Sequence, residues 1–249
     1  MARPVNNARR FWLAYLALSA LFGAAVGTFI VLERRAGPES MPRWSEWRPT
    51  GDNSQARQRQ IATHVESQYH LTNGRKLVDV LPRGPLAGAS EIREVGIATT
   101  QNPSLVTDFA YAPAESTAMY VLCGKAAKCA IDEGTSSVGR AALLKREALE
   151  LALYTFTYVD VADAVAAFYP PPKGKNPAFV FFFQRSDLSE ELRRPLRATL
   201  PQAKVAVRGN LTRAELNTVD ELTARNAFVF SLGVDPAGQG VLYLAPFTG

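Results

Sequence analysis

Twenty-two consecutive residues without a charge or a proline, Phe11–Leu32 (FWLAYLALSALFGAAVGTFIVL), constrain this chain more than any other feature. At about 1.5 Å rise per residue such a run reaches across a hydrocarbon core of roughly 30 Å, and it is read as a transmembrane helix in contact with the lipid bilayer. Trp12 and Tyr15 near its start suit the interfacial aromatic belt. A cleaved signal peptide is the competing reading. Its apolar stretch is usually about 7 to 15 residues and ends in an A-x-A-like site, whereas this run is longer and stops at Glu33-Arg34-Arg35.

Positive charge flanks both ends of the run, with Arg3, Arg9 and Arg10 before it and Arg34, Arg35, Arg43 and Arg48 after it. Charge alone therefore does not orient it. A short arginine-bearing tail tends to stay in the cytoplasm and a long domain translocates largely regardless of charge, so the expectation is N-terminus inside, domain outside. Ser19, Gly23 and Gly27 recur at four-residue spacing on one face of the span, where another helix can approach closely. Self-association through that face competes with the general abundance of small residues in transmembrane helices.

Residues 1–10 are thus read as a cytoplasmic tail, 11–32 as the membrane helix, 33–52 as a juxtamembrane linker and 53–249 as one globular domain. The linker reading rests on Pro38, Pro42, Pro49, Gly37 and Gly51 without apolar periodicity. Trp44 and Trp47 stand out in it and are expected to pack back on the domain. Of 28 Lys and Arg, three precede the membrane run, which leaves 25 against 23 Asp and Glu, so the rest of the chain is nearly neutral. No basic stripe with interleaved aromatics is present, and nucleic acid is not an expected partner.

Within the domain, Ile61, Val65 and Tyr69 predict a helix over 53–69, and Asn73-Gly74 a turn. Strands are expected at 76–81 and 91–99, then a Pro/Ser/Ala-rich loop, then two arms at 118–122 and 130–131 around Cys123 and Cys129. The helix 137–158 is apolar on nearly every face in its second half, which predicts a position in the middle of the domain. Strands at 164–169 and 178–183 follow, then a helix from Ser189 redirected at Pro195. Thr212-x-x-Glu215 has capping-box spacing and opens a helix to about Ala224, and 228–234 with 241–245 reads as a closing hairpin. The mixture without regular βαβ alternation predicts an α+β fold.

Cys123 and Cys129 are the only cysteines; pairing of their flanking arms would bring them to bridging distance, as suits an oxidising compartment. Zinc held with His64 and His70 is disfavoured, because the cysteine interval is too long and six residues along a helix put the two imidazoles on different faces unless the helix ends between them. No nucleophile elbow, dinucleotide fingerprint or phosphate loop is present, and no cofactor is expected. Glu147, Glu150, Asp160 and Asp163 are carboxylates near enough to serve a glycosidase-like pair; the alternative is surface charges, with Arg146 and Glu150 paired at i,i+4. Asn210-Leu211-Thr212 matches a glycosylation sequon that has meaning only in a eukaryotic secretory setting.

Trp44-Ser-Glu-Trp47, Leu77-Val-Asp-Val80, Tyr120-Val-Leu-Cys-Gly124, the stretch Arg146 to Phe156 and Arg194-Pro-Leu196 together resemble a family of single-pass actinobacterial membrane proteins with no assigned activity. The resemblance implies an envelope location and lends no site residues. The leading expectation is a membrane-tethered, non-catalytic ectodomain that binds a protein or envelope component, with a protein partner or a homodimer in view. The alternative is an extracytoplasmic enzyme acting on cell-wall polymer through carboxylates, and a third reading is a cytosol-facing adaptor. An exposed aromatic patch favours the binder, and a convergent carboxylate pair in a groove favours the enzyme.

Overall fold

The computed structural model describes residues 43–87, 89–99, 108–133, 136–206 and 211–247. The run Phe11–Leu32, with Ser19, Gly23 and Gly27, lies outside them; among the described residues no helix is long and apolar enough to cross a membrane. Trp44–Gly249 clusters as one unit, which therefore begins inside the stretch 33–52.

The fold is mixed α+β. Its helices are α1 (Ser54–Glu66), α2 (Val138–Tyr158), α3 (Ser189–Arg193), α4 (Leu196–Thr199) and α5 (Arg213–Ala224). Its strands are β1 (Tyr69–His70), β2 (Asp79–Leu81), β3 (Ile92–Ala98), β4 (Phe109–Pro113), β5 (Thr117–Cys123), β6 (Ala164–Phe168), β7 (Phe179–Gln184), β8 (Val205–Ala206), β9 (Ala227–Val234) and β10 (Gly240–Pro246). Eight of these form one sheet in the order β2-β5-β6-β7-β9-β10-β3-β4, and β1 pairs with β8 separately.

Chain connectivity forces that sheet to curl. Strands β4 and β5 are joined by only the short turn Ala114–Ser116, yet five strands lie between them in the sheet. Six strand spacings in a flat sheet amount to roughly 29 Å, whereas the four residue steps from Pro113 to Thr117 reach about 14 Å at most. The curl encloses a core built from alternate residues: Val95, Met119, Phe168, Val180, Phe182, Leu242 and Leu244, with Phe228 and Phe230 packed against them. Phe168 meets Phe230 edge-on at 5.0 Å between ring centres.

The opposite residues of the same strands face outwards and meet the helices. Tyr120 and Leu122 of β5, Val165 and Ala167 of β6, and Phe181 and Phe183 of β7 pack with α1, α2 and α5 in a second, larger core. Strands buried on both faces explain why Phe179–Gln184 reads as an unbroken β-prone run. Helix α2 starts at the Ser137 cap, whose side chain accepts from the Arg140 amide, and fourteen of its twenty-one residues are buried. At its other end the Arg185 guanidinium donates to the carbonyls of Phe156, Val159 and Ala162, satisfying the helix terminus with a cation.

Two expected elements differ. The loop expected before Ala118 contains β4, and Ala130–Ile131 is not a strand arm, because β5 pairs with β2 and β6 instead. Cys123 and Cys129 are nevertheless disulfide-bonded, with Cα atoms 4.3 Å apart. The closure is a tight loop: the Gly124 amide donates to the Cys129 carbonyl at 2.8 Å, and Lys128 and Cys129 both take positive φ. A side chain at Gly124 would put its Cβ 2.2 Å from the Ala130 carbonyl oxygen, so the loop requires glycine there. A cross-link closing so short a loop contributes about 2 kcal/mol by restricting the unfolded chain. The Cys123→Ser/Cys129→Ser double variant is expected to lose about that much in equilibrium unfolding, and the wild-type protein to show no reactive thiol until reduced.

Candidate functional site

The chemistry-bearing residues of α2 lie inside the protein. Arg146, Glu147 and Glu150 are fully buried, so the reading of these as helix-surface charges is corrected: the i,i+4 pair forms, but in the interior. From Arg146 to Phe156 every residue of α2 is buried between the sheet and helices α1 and α5, so this stretch has no solvent face on which to carry them.

Arg146 is the hub. Its Nε donates to Glu215 Oε1 of α5 at 2.8 Å and its Nη1 to Glu150 Oε2 at 3.1 Å. Nη1 also donates to the Tyr69 hydroxyl of β1, and Nη2 to the Gln202 carbonyl. Tyr69 in turn donates to Glu150 Oε2 at 2.6 Å. Thr212 caps α5 as its spacing predicts, accepting from the Glu215 amide at 3.2 Å, but the Glu215 carboxylate turns inward to Arg146 instead of closing the capping box. Burial raises the Glu150 carboxyl, while Arg146 and Tyr69 oppose the rise. Burial also drives Glu147 well above the usual carboxylate range, with Glu150 and Glu66 adding to it; neither Glu147 carboxyl oxygen has a partner among the described residues. This arrangement holds charge and packing in place and offers no substrate a route in.

The other sequence candidates scatter. Asp160 is exposed, 4.0 Å from Arg57, and Asp163 is exposed before β6. His70 sits in β1, bridged to Lys76. His64 lies flat against Trp47, with ring centres 4.0 Å apart, and its Nε2 is 3.3 Å from the Tyr154 hydroxyl. Burial and then Arg197 lower its pKa to about 4, so it packs as a neutral ring. Trp44 meets Tyr154 and Tyr158 edge-on, and its carbonyl accepts from the Leu196 amide at 2.7 Å. Both tryptophans therefore pack on the domain and clamp its first residues to α1, α2 and α4.

What sequence reading passed over is the outer face of β9, β10, β3 and β4, where the helix-side core reaches only Ala227 at the start of β9. Register aligns Ser231, Tyr243, Gly96 and Tyr111 in one row across the four strands. Tyr111 is 56 % exposed and Phe247 48 %, with Phe179 and Val229 exposed beside Phe247. Gly233 and Gly96 leave the Tyr243 ring its place: Cβ atoms there would come within 2.9 and 3.2 Å of it. No residue of β4, β9 or β10 is charged, and β4 pairs with nothing beyond β3 among the described residues.

No family model, curated protein or solved structure matches the chain.

Glu147 generates a signed expectation. A carboxyl whose folded pKa lies above its unfolded value costs stability progressively as pH rises past the unfolded value. Replacing an unpartnered buried polar group by an apolar one of similar shape removes a penalty of about 1–3 kcal/mol. Glu147→Leu is expected to raise unfolding stability by that order at pH 8 and by much less at pH 5, read from denaturation curves at both pH values.

Proposed function

We propose that this chain is a membrane-anchored, extracytoplasmic binding domain that docks a partner protein on the outer face of β9, β10, β3 and β4. The observation that carries the reading is the uncharged aromatic row on an open sheet edge. Interface cores are depleted of charge and enriched in tyrosine and phenylalanine, and an unpaired edge strand accepts an extended segment by backbone pairing. The partner is thus a protein that adds a strand along β4 and lays apolar side chains over Tyr111, Tyr243 and Val229. A phosphate-rich ligand would find no cation in β4, β9 or β10, and the one cation of β3, Arg93, lies 3.8 Å from the Glu91 carboxylate. The disulfide supports an oxidising compartment, and the Phe11–Leu32 run supports a tether with the domain outside. The cell-wall enzyme has less support, since Glu147 and Glu150 do not reach solvent.

Photo-crosslinking residues placed at Tyr111 and Val229 of the full-length protein in native membranes test this, with exposed Asp160 as the control position. One defined adduct with a second envelope protein is expected at the first two positions and none at the third. An adduct with another copy of this chain, or no adduct, contradicts the proposal. A C-terminal alkaline phosphatase fusion is expected to be active; an inactive but stable fusion would overturn the orientation.

A further inference from the structure

Where α2 begins, its first turn faces the loop that joins β6 to β7 across a cavity of about 350 Å³, a size typical of small-molecule sites. The walls are apolar: Ile131, Leu144, Tyr169, Pro170, Pro171 and Phe179 line it. Pro170 and Pro171 are buried and fix the loop, and Gly174, at φ 80°, closes a turn in which the Lys175 amide donates to the Pro172 carbonyl at 3.0 Å. That turn carries Lys173 to the cavity.

Into this lining comes a charge with no ion-pair partner among the described residues. The charge is that of Arg140, only 9 % exposed. Its Nη2 donates to the Glu133 carbonyl oxygen, while its Nε has no acceptor among the described residues. The nearby Glu133 carboxylate is taken by Arg75 and Asn73. Asp132, exposed, is the one carboxylate among the lining residues. Burying an unpaired cation is costly, and a protein interior retains one mainly where a counter-charge arrives. Ser136 and Ser137 line the same wall at the start of a 21-residue helix, whose dipole puts its positive end there.

We propose that this cavity binds a small organic anion, its negative head on Arg140, Lys173 and the α2 N-terminus and its apolar body against Tyr169 and the two buried prolines. Burial pushes the Tyr169 hydroxyl up to about 12 despite nearby Arg140, so it presents a neutral hydroxyl beside the anion. The site borders the docking face at Phe179, which pairs in register with Val229, but its charged groups Arg140 and Lys173 lie at the start of α2 and in the β6–β7 loop, so anion binding here stands whether or not a protein docks on the tyrosine row.

The test is isothermal titration calorimetry on the full-length protein in mild detergent with three probes: phenyl phosphate, inorganic phosphate and benzyl alcohol. Phenyl phosphate is expected to bind with one-to-one saturation, and each of the other two, lacking either body or charge, at least tenfold more weakly. Arg140→Gln and Lys173→Gln are each expected to weaken phenyl phosphate about tenfold while leaving benzyl alcohol unchanged. Lys173 is exposed, so its variant keeps the test decisive should the Arg140 variant misfold. Absence of saturable heat from phenyl phosphate, equal binding by the Lys173 variant, or equal affinity for inorganic phosphate overturns the proposal.

Discussion

The guanidinium of Arg146 is the interaction on which the helical side of the domain depends. From one fully buried position it engages β1 through Tyr69, α2 itself through Glu150, α5 through Glu215 and the chain before β8 through the Gln202 carbonyl. An arginine is suited to this because its planar fork presents five donors in fixed directions and stays protonated in a low-dielectric interior, which a lysine would not do equally. The cluster specifies how α5 and β1 meet α2, a task that apolar packing alone leaves loosely defined. Its cost is the burial of several charges, which good geometry offsets only while every partner is present.

On this arrangement rests the division of the molecule into two surfaces. The curled sheet closes its own core between β5-β6-β7 and β9-β10-β3, and α1, α2 and α5 cover only the outside of the first half. In the second half β4, β9 and β10 carry no charge and tyrosines stand on the face, while β3 brings the exposed Arg93 and Glu94 at its start. The first residues of the domain are fixed on the helical side by Trp44 and Trp47 against Tyr154, Tyr158 and His64. The open tyrosine-bearing face and the arginine-bearing cavity at the start of α2 are consequences of where helices do and do not cover the sheet.

Much of this was legible in the residues. The near-continuous apolar pattern of α2, its Ser137 cap, the Thr212 cap of α5 and the β9–β10 hairpin all follow local rules of period and punctuation. Strand β4 escaped because Phe-Ala-Tyr-Ala-Pro is short, alanine-rich and ended by proline, and its pairing with β3 is a tertiary fact. The buried charges escaped for a different reason: an i,i+4 pair has the same spacing on a surface helix as in a core. The signal that separates the cases was present, since a helix apolar on all faces leaves no wet side for Arg146, Glu147 and Glu150. Cys123 and Cys129 are bridged although only one of the two expected arms, β5, forms; a glycine-dependent turn brings them together. The aromatic face has no local signature, because Tyr111 and Tyr243 are far apart in the chain and meet only through sheet register.

The central claim is that the Arg146 cluster holds the helical layer together as a mutually dependent unit, and a mutant cycle in equilibrium unfolding measures it directly. Arg146→Met alone strands two carboxylates in the interior and is expected to cost about 3–5 kcal/mol. Combining it with Glu150→Leu, Glu215→Met and Tyr69→Phe removes the stranded groups and is expected to restore more than half of that loss. An Arg146→Met protein as stable as the wild type, or a combined variant that loses the sum of its single losses, would contradict the account.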